Sequence, residues 1–202
     1  MRSTRPSSTP TNEVPTLPDG FDVLDVCHRH TLFALGKLAA LVARLKGGRG
    51  PDPVARALAG EIVQFFSTTA REHHEDEERH LFPSLLSAGD PEIAQAVMRL
   101  KQDHHWLHID WLELSPQLQA VANGQTGYDI AALAEGAQVF IALSHDHIAL
   151  EESCIYPQAR VRLRPGERRE MGREMAARRR ARLTVQGAAV LANQQHRKPA
   201  VP

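Results

Sequence analysis

Apolar residues recur every three or four positions along four stretches of the chain. That spacing keeps side chains on one face of an α-helix turning about 100° per residue. The first stretch runs from about Phe21 to Leu45 on a seam of Leu24, Thr31, Leu35, Leu38, Val42 and Leu45. It stops at KGGRGPDP, where glycine ends one helix and proline opens the next. The second runs from about Pro53 to Phe82 on Leu58, Ile62, Phe66 and Thr69, and is expected to end near Pro83. Asp90 as N-cap and Pro91 in the first turn start the third, which follows Val97, Leu100, Trp111, Leu114 and Leu118 to about Ala122. Pro116 is a candidate kink in it. After the loop NGQTGYD the fourth runs from about Ile130 to Tyr156 on Leu133, Ala137, Phe140 and Ser144, and meets Pro157. Strand-like alternation is almost absent. Long amphipathic helices joined by short loops predict an all-α, up-down-up-down four-helix bundle over residues 20–160.

The seams turn polar partway along. His28 lies on the first, His73 and Glu77 on the second, His104 and His108 on the third, and His147, Glu151 and then Cys154 on the fourth. His30, His74, His80, His105 and His145 fall off the seams and read as surface groups or neighbours of the interior ones; Glu75, Asp76 and Glu78 read as a solvated face. Burying a polar group without a partner costs roughly 2–7 kcal/mol. A metal centre accounts for all the interior imidazoles and carboxylates together.

The second and fourth helices also read as copies. FSTTAREHHEDEERHLFP (66–83) aligns with FIALSHDHIALEESCIYP (140–157) at a single offset of 74 residues. Phe66 matches Phe140, His73 matches His147, Glu77 matches Glu151, Phe82 matches Tyr156, and Pro83 matches Pro157. A duplicated helical hairpin puts one His/Glu pair on each of two helices. His74 with Glu78 repeats the same spacing one residue later, but the proline-anchored repeat favours His73 with Glu77.

The 202 residues suffice for one domain with tails. Two cysteines, Cys27 and Cys154, give no disulfide framework and no cysteine-based zinc pattern. No apolar run reaches the roughly 18 residues of a membrane span. The expected location is the cytoplasm, with no membrane partner. Residues 1–19, rich in proline, serine and threonine, lack the apolar core of a secretory signal and read as a disordered leader. Zero net charge hides an asymmetry: residues 160–202 hold 12 Lys and Arg against 3 Asp and Glu, so the remainder is acidic. Residues 161–202 therefore read as a basic, helix-forming extension packed on an acidic body, with contact to a protein partner as the sharper alternative. No aromatic interleaving or nucleic-acid-binding motif accompanies that charge, which argues against nucleic acid.

Imidazole ligation with bridging carboxylates favours iron. A carboxylate has two oxygens and can join two ions, while imidazoles serve as terminal ligands. Five imidazoles and two bridges leave room for an oxo or hydroxo bridge and one open position.

The segments CHRH, HHEDEERHLFP, DHHWLH and HDHIALEESCIYP, in that order on four helices, resemble the hemerythrin family in its bacterial HHE cation-binding branch. The resemblance covers roughly residues 20–160 and implies a bundle around two non-haem iron ions with an oxo or hydroxo bridge. It implies His28 and His73 as terminal ligands of one iron, and His104, His108 and His147 of the other. Glu77 and Glu151 become the bridges. Respiratory members place the second bridge five residues after its histidine, as aspartate, which here falls on Glu152; the internal repeat favours Glu151. Many bacterial members carry glutamate where this chain has His108. The implied function is binding of O₂, peroxide or NO at an open iron position, for carriage, storage, sensing or scavenging. The same site admits turnover of peroxide or NO, handling of iron for damaged iron centres, or a regulatory module acting through the basic tail.

Overall fold

Four aspartates start the four long rods. Asp19, Asp52, Asp90 and Asp129 each turn a side-chain oxygen onto amides of the first turn, and Asp22 completes a capping box with Asp19. The structure, a computed structural model, describes residues 19–48 and 50–196. The first rod is α1 (Gly20–Lys46). The second comprises α2 (Pro53–Phe65), a π turn (Phe66–Ala70), α3 (Arg71–His80) and α4 (Phe82–Leu86). The third is α5 (Pro91–Ala122). The fourth joins α6 (Ile130–Leu150), a second π turn (Glu151–Ile155) and α7 (Tyr156–Arg162). A fifth, α8, spans Pro165–His196. No strand occurs among the described residues.

The first helix packs against α2 and α6, and α5 packs against the same two. The four rods thus close a square, the arrangement of an up-down-up-down bundle with short connections. Gly48, Gly89 and Gly124 turn the chain after α1, α4 and α5 with φ of 73°, 73° and 74°, a region that favours glycine.

The second and fourth rods run past the prolines at which the sequence predicts their ends. Pro83 and Pro157 each sit in the first turn of a new segment, α4 and α7, where a missing amide costs no hydrogen bond. Pro116 lies inside α5, which continues through it as one helix.

Two apolar cores fill the bundle. The upper contains Leu35, Leu38, Ile62, Phe66, Trp111, Leu118 and Phe140. The lower contains Phe21, Leu24, Leu81, Phe82, Leu100, Ile155 and Tyr156. Met171 and Met175 of α8 are buried in that lower core, and Met171 leaves no room for a β-carbon on Gly20. The first part of the basic extension expected over residues 161–202 thus packs on the bundle, through Met171, Met175 and the arginines up to Arg182. The expected leader falls outside the described residues except for Asp19, as do residues 197–202. No described helix is long and apolar enough to cross a membrane.

The outer face of α3 is not solvated throughout, as its charge had implied. Asp76 is 1% exposed and pairs with Arg178 and, at 2.8 Å, Arg179 of α8. Burial pushes its carboxyl pKa up, against the pull of those arginines. Glu72 pairs with Arg182 at 2.8 Å, and His80 meets Glu174 at 2.7 Å. Removing one member of a buried ion pair costs roughly 3–5 kcal/mol, less where the partners reach water, so Asp76→Ala should destabilise the fold by about 2 kcal/mol. Urea denaturation measures this. A midpoint equal to wild type contradicts the role assigned to the pair.

Candidate metal centre

A polar layer separates the two cores, and each rod of the bundle sends side chains into it. α1 supplies His28; α3 supplies His73, His74 and Glu77; α5 supplies His104; α6 supplies His147; and Glu151 opens the second π turn. His28, His73, Glu77 and Glu151 form one group whose ligand atoms all lie within 4.8 Å of one another. Glu77, His104, His147 and Glu151 form a second. The two groups share both glutamates, each 0% exposed. Glu77 Oε1 lies 3.4 Å from His73 Nε2, while its Oε2 lies 3.4 Å from His104 Nε2. Glu151 Oε2 lies 3.1 Å from His28 Nε2, and its Oε1 lies 3.0 Å from His147 Nε2. Each carboxylate therefore reaches into both pockets.

Many of these atoms are buried without a hydrogen-bond partner: Glu77 Oε2, both Glu151 oxygens, His104 Nε2 and His147 Nε2. Buried polar atoms are normally paired, so orphans gathered at one centre mark a donor set for a cation. Two outer ring nitrogens have partners, while His73 Nδ1 and His147 Nδ1 have none. His28 Nδ1 meets Glu152 Oε1 at 3.0 Å and His104 Nδ1 meets Glu78 Oε1 at 2.8 Å. Asp103 Oδ2 stands 4.0 Å from His147 Nδ1. A carboxylate behind an imidazole fixes the ring and presents its other nitrogen to a metal. Neutral imidazoles around two shared carboxylates fit a pair of divalent cations.

The internal repeat becomes an approximate two-fold relation in the site. His28 and His73 correspond to His104 and His147, and Glu77 and Glu78 to Glu151 and Glu152. Glu152 supports His28 from the opposite half, as Glu78 supports His104. Phe82 stacks on His104 with centroids 5.7 Å apart, and Tyr156 on His28 at 5.1 Å. The paired glutamates in both copies of the repeat were the sequence signal for these supports. A solvated reading of Glu78 missed it.

Six of the seven residues expected from the sequence meet here: His28, His73, Glu77, His104, His147 and Glu151. The seventh, His108, stands exposed on the cavity wall and in neither group. Leu107 and Trp111 continue the buried seam after His104, so position 108 turns away from the layer. His74 comes in instead and forms a trio with His104 and His147. Its ring stacks on His104 with centroids 4.1 Å apart. The π turn at Phe66–Ala70 explains this, because its extra residue rotates the direction of Phe66 toward His74. The second π turn buries Ile155 where the seam predicted Cys154. Glu152, the alternative bridge, is 54% exposed and reaches His28 Nδ1, while Glu151 sits inside both groups.

Without a cation, protons neutralise the layer. Burial opposes charge on His28, but the Glu151 carboxylate 3.1 Å from its Nε2, and then Glu77 and Glu152, hold its pKa up to about 9. His104 is likewise buried yet held well above the usual range by Glu151, Glu77 and Glu78. Burial and adjacent imidazoles push His73 and His74 well below theirs. Burial and the charge of Glu151 raise Glu77. Burial works against Glu151 too, but His147, His104 and His28 hold it low. Burial and the two carboxylates keep Tyr156 protonated.

A cavity of about 810 Å³ opens onto this layer from the upper core. Its deep wall is Phe66, Leu107, Trp111, Phe140 and Ile148 beside the imidazoles. Arg71, Arg79, Glu78 and His108, all exposed, mark where it meets solvent.

Comparison with known proteins agrees with this geometry. The family model described as the hemerythrin HHE cation binding domain matches residues 19–159. An uncharacterised protein of Haemophilus influenzae is 34% identical over 119 residues, which are 59% of this chain. The match spans 66% of that relative, just under two thirds of its length.

A metal entering the layer must displace the protons on His28 and His104. Uptake at pH 7 should therefore release protons. A proton competes wherever the pH lies below the raised pKa, so affinity should rise with pH and level off near 9, where His28 gives up its proton. Calorimetry in buffers of different ionisation enthalpy measures the release. An affinity independent of pH from 6 to 9 contradicts the assignment.

Proposed function

The chain belongs to the hemerythrin HHE cation-binding domain family, and we propose that it holds two non-haem iron ions and binds O₂ or a related small ligand, peroxide or NO. The observation that carries this reading is a pair of buried pockets sharing two carboxylates at the end of an apolar cavity. One iron takes His28 and His73. The other takes His104, His147 and His74, in place of the exposed His108. Glu77 and Glu151 bridge them. When bound, the iron pair supplies a Lewis-acidic, redox-active position for a small ligand, with an oxo or hydroxo group between the ions.

The donor count supports an asymmetric pair. His104 and His147 meet both carboxylates in one group and His74 in another, whereas His28 and His73 meet the same carboxylates with no third imidazole. The pocket of His28 and His73 is thus the one with a position to spare. The cavity runs from solvent to the layer, and Phe66, Leu107, Trp111, Phe140 and Ile148 give it an apolar stretch beside the imidazoles that suits a small uncharged ligand. Glu78 holds the ring of His104 and Glu152 that of His28, so the chain contributes positioning.

Anaerobic loading of the full chain with Fe²⁺, followed by air, should yield two irons per chain and the absorption of an oxo-bridged ferric pair. His74→Ala should lose iron from one pocket, while His108→Ala should load as wild type does. The reverse pattern overturns the ligand assignment, and absence of the ferric-pair spectrum overturns the di-iron reading. Consumption of H₂O₂ or NO above a free-iron control assigns turnover to the site in place of reversible binding.

A further inference from the structure

The approximate two-fold relation breaks at two places in the site. His74 corresponds to Ile148, which gives one pocket an extra imidazole. Tyr156 corresponds to Phe82, which gives the other pocket a hydroxyl. Both aromatic rings stack on a histidine of the layer, so ring packing alone does not distinguish them. The hydroxyl does. Tyr156 is 2% exposed, and its hydroxyl donates to Glu77 Oε1 at 2.6 Å and lies 3.1 Å from His28 Nε2.

Among the described residues this is the side-chain hydrogen bond that Glu77 receives, since its Oε2 has no partner. Oε1 is the oxygen facing His73, whereas Oε2 faces His104. Glu151, the counterpart of Glu77, meets imidazoles, His28 at 3.1 Å and His147 at 3.0 Å, and receives no hydroxyl. Phe82 has no hydroxyl to offer it. We propose that Tyr156 is a positioning residue that fixes the Glu77 carboxylate for the metal in the His28–His73 pocket and makes that pocket differ from its counterpart. A hydrogen bond to Oε1 sets the rotation of the carboxylate and the share of its lone pairs left for that ion. The proposal rests on the two-metal reading of the site.

Tyr156→Phe tests it, because phenylalanine is the residue the corresponding position already carries. The full chain and the variant are titrated anaerobically with Fe²⁺ alone. Wild type should take two ions. The variant should bind one with unchanged affinity and the other about 10–100-fold more weakly, the usual effect of losing a group that orients a metal ligand. The ferric form of wild type should show no tyrosinate-to-iron absorption in the visible. Two unchanged affinities in the variant overturn the proposal while the two-metal reading stands. A visible tyrosinate band that disappears in the variant also overturns it, by making Tyr156 a ligand. A wild-type chain that takes up no iron removes the two-metal reading itself. Phe82→Tyr is the reciprocal change and does not depend on the variant folding. It should tighten binding in the opposite pocket, and a fall or no change there counts against the proposal.

Discussion

Two carboxylates with no exposed surface, held between two apolar cores, set the terms for the rest of the structure. A buried charge without a counter-charge is not tolerated at neutral pH, so the layer must carry protons or cations. The metal-free chain uses protons, with His28 held near pKa 9 and His104 raised beside it. That arrangement leaves Glu151 with two unpartnered oxygens and His104 and His147 with unpartnered inner nitrogens. Protons neutralise the layer but leave these atoms unpaired, whereas a bound cation would both neutralise it and engage them. The outer carboxylates follow from the same constraint. Glu78 and Glu152 turn each ring so that its inner nitrogen points to the centre, and each comes from the opposite half of the repeat. The two halves are therefore locked by the groups that orient the ligands.

Much of this was legible in the sequence because it obeys helical periodicity. The four rods, the capping aspartate at position 90, the α1 seam from Leu24 to Leu45 and the placement of His28 and His147 follow from three- and four-residue spacing. The two π turns lie beyond that reasoning. Each adds a residue that a period of 3.6 does not count, so side chains after it swing round by a residue. His74 enters the layer, and Ile155 is fully buried where Cys154 is only partly so. His108 lies outside both groups for a related reason. Position 104 is followed by i+3 and i+4 alternatives on the same face, and the bulk of Leu107 and Trp111 decides between them.

Asp76 illustrates a different limit. Its neighbours on α3 are charged, and local spacing gives a solvated face. Its partners, Arg178 and Arg179, lie about a hundred residues away on α8. Nothing within one helix could reveal that pairing. The asymmetry of charge along the chain carried part of the message, since an acidic body and a basic extension attract. The register came from Met171 and Met175, which enter the lower core and bring the arginines over α3. Asp76 stands between His73 and Glu77 in sequence, so the fifth helix braces the segment that supplies three of the layer's side chains.

Duplication explains why the site has two pockets, and the departures from duplication explain why they differ. A strict two-fold copy would give each ion two imidazoles, the same two bridges and the same surroundings. Here one substitution adds an imidazole, His74, to the pocket already served by His104 and His147. The other adds a hydroxyl, on Tyr156, beside the pocket that lacks that imidazole. The two changes act in the same sense. In the proposed two-metal site, one would add a donor at one ion, and the other would constrain a bridge at the ion with fewer donors. An open position is useful only if the bridge beside it does not swing in to fill it. A carboxylate free to rotate from bridging both ions to holding one with both oxygens would close that position. In the proposed two-metal site the hydroxyl on Glu77 Oε1 would oppose that rotation, whereas Glu151, on the other side of the layer, meets imidazoles and no hydroxyl.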